Sequence, residues 1–274
     1  MIKKIIREVY SRRSLLRELI AKDLKARYKM PVLSFFWAFL SPLFFTGILY
    51  LIFSVFMKIN IQEAPFLLYL MSAVFTWRFF QEAVMTSATS LMDNRNLIKE
   101  ASFPHYLVPL SLVLANLLNF LPSLGILIAL SFFISRGLPI FIIFLPAVLV
   151  IHFIITFGMA LIFSILYIRW RDTKYVLEIL LQALFYLTPV FYSLALVKEG
   201  VSPKVYSLYL LNPFVGILNL YRLALLKGFY QAINAQVNWL VWAVITPLVA
   251  CVILFLGFFV YAKSRKYIND YLAY

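Results

Sequence analysis

Residues 93–110 read DNRNLIKEASFPHYLVPL, the longest polar break between hydrophobic runs in the middle of the chain. The apolar runs on either side are long enough to cross a bilayer, at about 1.5 Å per helical residue against a core of roughly 30 Å. The break must therefore sit in water at one membrane face. Asp93, Asn94, Arg95, Asn96, Lys99 and Glu100 are solvated residue types, whereas Leu97, Ile98 and Phe103 offer a short apolar edge. Pro104 restricts Phe103, so the stretch predicts a short helix closed by a turn, with His105 starting the return toward lipid. Two readings fit such an element: a solvated hairpin loop, or a docking element for a soluble partner.

Composition agrees with the membrane reading. The chain of 274 residues is 64% hydrophobic and only 13% charged, with mean hydropathy +0.93. Soluble domains hold roughly twice that share of charge. A net charge of +14 would suit a nucleic-acid binder, but ten of the 25 Lys and Arg precede Met30 and others flank apolar ends. That is the orienting bias of a membrane protein, and no nucleic-acid partner is expected. The single Cys251 lies in an apolar run and excludes an intrachain disulfide. The first apolar run has no small-residue cleavage pattern after it, so it does not read as a removed signal peptide.

Around the central break the chain predicts an all-α integral membrane protein with six spans. Residues 1–30 form an amphipathic, interfacial cytoplasmic helix: Leu15, Leu16, Leu19, Ile20 and Leu24 share one arc, with Arg17, Glu18, Lys25 and Lys29 opposite. Its basic side is expected near anionic lipid, with contact to a cytoplasmic partner as the alternative. Residues 31–262 form the transmembrane domain and 263–274 a cytoplasmic tail. The spans are Val32–Met57, Pro65–Met92, Tyr106–Ser135, Leu138–Ile168, Tyr175–Leu196 and Trp239–Ala262. In the fifth, Pro189 of LTPVFY is expected to introduce a bend. The second carries Arg78, Gln81, Glu82, Thr86, Ser87, Thr89 and Ser90, so one side must face other helices or an aqueous path. Arg78 and Glu82 are spaced to pair.

Residues 205–232 are apolar enough for a seventh span, but Asn212-Pro213 interrupts them and Arg222 lies inside. Charge placement decides between the two counts. With six spans, ten Lys/Arg of the N-terminal segment, two of the 93–105 loop, three of 169–174 and three of the tail share one side; Lys58, Arg136, Lys198, Lys204 and Lys227 lie on the other. A seventh span would move the basic tail outside, against that bias. The segment is therefore read as re-entrant helices before the last span, and both termini as cytoplasmic.

Several chemistries lack their residues. There is no GxxxxGK[ST] phosphate loop, HExxH, paired Cys ligands or GxSxG, and the two histidines are His105 and the mid-membrane His152. Neither a metal site nor a catalytic site is expected. Intramembrane ionisable groups suited to an ion-coupled carrier are few: Arg78, Glu82 and Arg222. Aromatic residues are the positive feature, at 18% with 27 Phe and 17 Tyr. Rings stack on sugar faces while letting a chain slide, although most rings in a bundle meet lipid or fill the core.

RYKMPVLSFFWAFLSPL, NLIKEASFPHYLVPLS, YIRWRDTKYV, LTPVFYS and LNPFVGILNLYRLALL, in this order and behind a basic amphipathic helix, resemble the membrane subunit of type-2 ABC exporters. The nearest branch is the one that moves lipid-linked polysaccharide such as O-antigen, capsule or teichoic acid. The resemblance spans essentially the whole chain. It implies a bacterial inner-membrane permease acting as a homodimer with two copies of a separate ABC ATPase, which binds ATP and Mg; this chain needs no cofactor. It implies that Asn96, Leu97, Ile98, Lys99, Phe103, Pro104 and His105, with Arg171 and Asp172 of the second loop, contact that ATPase. The family commonly has Arg where His105 stands, and Leu-Gly where this chain has Leu33-Ser34. Its substrate would be an undecaprenyl-type lipid-linked glycan, with Phe36, Trp37, Phe44, Arg78, Glu82, Tyr186, Tyr192 and Arg222 as path candidates. The alternative within the same fold is a type-2 ABC exporter of drugs or small lipids; alternatives of other classes are a membrane-embedded glycosyl- or acyltransferase and an ion-coupled carrier.

Overall fold

The computed structural model describes residues 2–27, 31–59, 61, 64–100, 103–234 and 237–268; for residues 2–6 and 31–39 it describes the backbone only. Among the described residues every regular element is helical. Two N-terminal helices, α1 (Ile2–Ser11) and α2 (Arg13–Arg27), precede α3 (Pro31–Tyr50), which continues through a π-helical turn at Leu51–Phe56. The long α4 (Phe66–Asp93) leads through the short α5 (Arg95–Glu100) into α6 (Leu107–Ser135). A 3-10 turn at Ile140–Phe144 opens α7 (Leu145–Arg169), followed by α8 (Thr173–Tyr186) and α9 (Leu194–Gly200). The chain closes with α10 (Pro203–Leu210), α11 (Pro213–Leu225), α12 (Phe229–Asn234) and α13 (Leu240–Ser264).

The core is built around α4. Residues 68–77 are buried without interruption, on every face of the helix. It packs against α3, α6, α7, α8 and α11. This enclosure explains how so polar a helix is tolerated. Ser72, Thr76, Thr86 and Ser90 each donate to a carbonyl three or four residues earlier on α4, so their hydroxyls need no outside acceptor.

At the crossing of α7 and α13 the two backbones come into direct contact. A Cβ on Gly257 would lie 2.7 Å from the Gly158 carbonyl oxygen, and one on Gly158 would lie 2.8 Å from the Leu254 amide. Only hydrogen at both positions lets the two backbones meet, the usual device of helix packing in lipid. At the turn between α6 and α7, Arg136 takes the left-handed conformation and Gly137 has φ +130°, and the Gly137 amide bonds back to Phe132.

Among the described residues three helices are long and apolar enough to cross a membrane: Leu107–Ser135, Ile140–Arg169 and Leu240–Tyr267. They match the third, fourth and sixth predicted spans. The fifth differs: α8 has 14 residues, about 21 Å, and ends at Tyr186 rather than reaching Leu196. Pro189 has no N–H to continue the ladder and disfavours helix at Thr188, so a bend becomes a break. No continuous helix covers 205–232. There α10 and α11 meet at 71° across Leu211-Asn212, where Asn212 accepts the Phe214 amide and caps α11. Phe214 to Leu225 are buried throughout, whereas α10 is largely exposed. Such a bent pair is either a broken span or a re-entrant loop.

Candidate functional site

In the 93–105 loop, α5 (Arg95–Glu100) is the expected short helix, and residues 101–102 lie outside the described residues. The Asn94 side chain caps the end of α4 by donating to the Ser90 carbonyl at 2.9 Å, and the Asn94 backbone carbonyl accepts the Ile98 amide at 3.0 Å to start α5. Ile98 and Phe103 are buried and Leu97 is half-buried, so the apolar edge is pressed onto the bundle. Arg95, Asn96, Lys99 and Glu100 remain exposed. The Pro104 and His105 carbonyls accept the Leu107 and Val108 amides at 3.0 and 3.1 Å, forming the first turn of α6.

Elements from both chain ends hold this loop. Lys22 of α2 donates to Asn94 Oδ1 at 2.8 Å. The Tyr106 hydroxyl donates to Glu8 Oε2 of α1 at 2.9 Å, and its ring meets Tyr261 and Phe258 of α13 edge-on. Burial, aided by the nearby positive charge of Arg265, pushes the His105 imidazole below its usual pKa of 6.5. At neutral pH it is therefore an uncharged ring, set edge-on to Phe103 at 6.0 Å. Sequence reasoning did not single out Glu8, Tyr106 or Tyr261.

Because the tight turn after Ser135 sets α6 and α7 antiparallel, the 169–172 turn returns to the end of the bundle that carries the 93–106 loop. Arg171 and Asp172 are exposed there. The Arg169 guanidinium stacks on the Trp170 ring at 4.5 Å, and that of Arg171 lies 5.8 Å from the Tyr167 ring.

A second feature is a cleft of about 590 Å³ between α3, α4 and α8. Arg78 and Glu82 line it as a pair, Nη2 to Oε1 at 3.1 Å, and Arg78 Nη1 also donates to Ser41 Oγ of α3 at 2.9 Å. Trp77 Nε1 donates to Gln81 Oε1 at 3.1 Å. Glu178 and Gln182, one turn apart on α8, complete the polar lining, with Phe45, Phe185 and Tyr186 as its aromatic part. Glu178 and Gln182 are polar residues inside an otherwise apolar predicted span. That was a readable signal, and it was missed.

The other path candidates are scattered. Phe44 is exposed on α3 outside the cleft lining. The side chains of Phe36 and Trp37 lie outside the described residues. Tyr192, in the break after α8, donates to the Tyr186 carbonyl at 3.0 Å and thus accepts from the Tyr209 hydroxyl at 3.2 Å. Arg222 has no accessible surface. Its Nη2 donates to the Pro189 and Val190 carbonyls at 2.6 and 3.1 Å, and its guanidinium carbon lies 3.3 Å from the Tyr69 ring centroid. It thus closes the gap that the break in α8 opens. Among the described residues no three His, Cys, Asp or Glu side chains come together as metal ligands would.

The model of the ABC-2 type transporter family matches residues 14–226, which include the loop, the cleft and Arg222. The chain is 30% identical over 219 residues to an O-antigen export system permease protein RfbA of Myxococcus xanthus, covering 80% of this chain and 83% of that protein. It is 32% identical over 182 residues to a protein of the same name from Klebsiella pneumoniae, covering 66% and 70%. With its helical membrane-spanning architecture and this match over most of its length, the chain belongs to the ABC-2 type transporter family.

Proposed function

We propose that the chain is the permease of an ATP-driven exporter of O-antigen-type, lipid-linked polysaccharide in a bacterial inner membrane. The observation that carries the reading is the family match together with two O-antigen export permeases as relatives. The geometry supports it. A loop with exposed Arg95, Asn96 and Lys99, anchored through Ile98 and Phe103, suits transmission of force from a soluble ATPase that holds ATP and Mg. The Arg171-Asp172 turn gives a second contact at the same end. Two copies of the permease and two of the ATPase form the working unit, with both termini of the permease cytoplasmic. Six crossings place the loops so, counting α3, α4 and the broken α8 region, with 205–232 entering from the outer side.

The exposed apolar faces of α3 and the π-helical turn that continues it (Ile48, Leu51, Val55) and of α8 (Val176, Ile179, Leu180) form the seam between the two copies. The cleft at Arg78, Glu82, Glu178 and Tyr186 then opens toward that seam and takes the glycan. ATP-driven closure of the ATPase pair pushes on the loop, which α1, α2 and α13 hold, and parts the seam.

The test is purification of the tagged chain in mild detergent from its host, with assay of ATP hydrolysis. A stoichiometric ATPase should co-elute, and Leu97→Asp, on the half-buried edge of the loop, should release it. A chain that elutes alone, with export that survives ATP depletion, refutes the proposal.

A further inference from the structure

A second cavity, of about 410 Å³, lies between α2 and the ends of α4 and α6, beside the loop. Its two walls differ in chemistry. The polar groups of the α2 wall are Lys22, Arg27 and Asp23; those of the opposite wall are Thr86, Thr89, Ser90 and Asp93 of α4, Asn94 after it and Ser111 of α6.

A hydroxyl has one hydrogen and two lone pairs. On the α4–α6 wall every one of those hydrogens is already committed. Thr86 donates to the Glu82 carbonyl at 2.7 Å, Ser90 to Ser87 at 2.6 Å and Ser111 to Val108 at 2.8 Å, while Thr89 donates to Asp93 Oδ2 at 2.6 Å. What these oxygens turn toward the cavity is lone pairs, next to the Asp93 carboxylate. Thr86 Oγ1 spends one lone pair on Asn116 Nδ2 at 3.1 Å, and Asn94 Nδ2, which donates to the Ser90 carbonyl at 2.9 Å, keeps one N–H, so the hydroxyls and Asp93 make this wall mainly an acceptor. On the α2 wall, Lys22 uses one ammonium hydrogen on Asn94, Arg27 uses Nη1 on Asn116 at 2.9 Å, and Arg27 Nε lies 2.8 Å from Asp23 Oδ2 as an ion pair. Each retains N–H groups for an anion. Lys22 and Arg27 balance Asp23 and Asp93, so the cavity carries no net charge but is strongly dipolar.

A bare phosphate or pyrophosphate would meet the lone-pair wall unfavourably. A zwitterion satisfies both walls. We propose that this cavity binds the headgroup of a zwitterionic phospholipid bearing a primary amine, with the phosphate at Lys22 and Arg27 and the ammonium against Asp93 and the hydroxyl oxygens. The amine must carry N–H groups: a trimethylated amine has the same charge but offers no hydrogen to an acceptor wall. The source is the bilayer itself, because α2 is an amphipathic helix that buries Leu16 and Leu19 and leaves a basic outer side. Bound there, the lipid ties α2 to α4 and α6 at the base of the loop. This assignment does not depend on the exported substrate.

The test uses the full chain in detergent, titrated in native mass spectrometry with phosphatidylethanolamine, its N-methyl and N,N-dimethyl forms, and phosphatidylcholine of the same acyl chains. Retention should fall stepwise with methylation, by about tenfold across the series, the scale of one charge-assisted hydrogen bond. Asp93→Asn should flatten the series, and Lys22→Gln should weaken all four lipids alike. Because the series is run on the unaltered chain, a variant that folds poorly leaves the test intact. Equal retention of all four lipids, tighter retention of anionic phosphatidylglycerol, or displacement of the lipid by equimolar soluble phosphoethanolamine overturns the proposal.

Discussion

Replacing Arg222 with Met tests whether a buried cation holds the break in α8. Methionine retains the apolar stem but strands the Pro189 and Val190 carbonyls, which accept from Nη2 at 2.6 and 3.1 Å. The bond to the Tyr69 carbonyl, at 3.5 Å, is too long to add much. Stranding a buried acceptor costs roughly 1–3 kcal/mol, and loss of the desolvated stack on Tyr69 adds about 2 kcal/mol. Removing a guanidinium from a site without accessible surface returns part of this, because that cation no longer has to be desolvated. The net expectation is a loss of about 3–5 kcal/mol in reversible SDS unfolding, a size that the loss of one buried hydrogen-bonding partner reaches. Arg222→Lys should fall between, since an ammonium can still donate to the carbonyls but loses the flat guanidinium stack on Tyr69 and the Nη1 contact with Asn219 Oδ1 at 3.4 Å. A Met variant within about 1 kcal/mol of the parent, the size of an ordinary neutral hydrogen bond, would refute the clamp.

Gly257→Ala should destabilise by about 1–3 kcal/mol through overpacking against the Gly158 backbone, measured by the same unfolding assay. Gly125→Ala, where no atom lies within 4 Å of the new Cβ, should be neutral or slightly stabilising. His105 should make stability fall as pH drops below about 6.5, its unfolded value. Its folded pKa is lowered by burial and Arg265, so the unfolded chain binds the extra proton, and stability rises with pH through that window. Thermal unfolding between pH 7.5 and 5.5 should show this slope, and His105→Gln should flatten it; an unchanged slope would contradict the burial of the ring.

Some of this protein follows from one-dimensional pattern alone. Unbroken apolar runs with few charges have one low-energy solution in lipid, the helix, so α6, α7 and α13 were legible to within a few residues. The loop was legible for the same reason in reverse, since its charges cannot enter the bilayer. Pro189 and Asn212-Pro213 marked the irregular backbone, but whether proline bends or ends a helix depends on what receives the freed carbonyls. That receiver, Arg222, lies 33 residues from Pro189. Tertiary structure alone decided its role, and it seated the loop on Glu8, Lys22 and Tyr261. Likewise, only the packing of α8 beside α4 turned Glu178 and Gln182 from isolated polar residues into the wall of a cleft with Arg78 and Glu82. Local sequence sets which segments leave water, because that free energy is summed residue by residue. Which polar groups meet inside is set by contacts between helices far apart in the chain, and no period or motif encodes those partners.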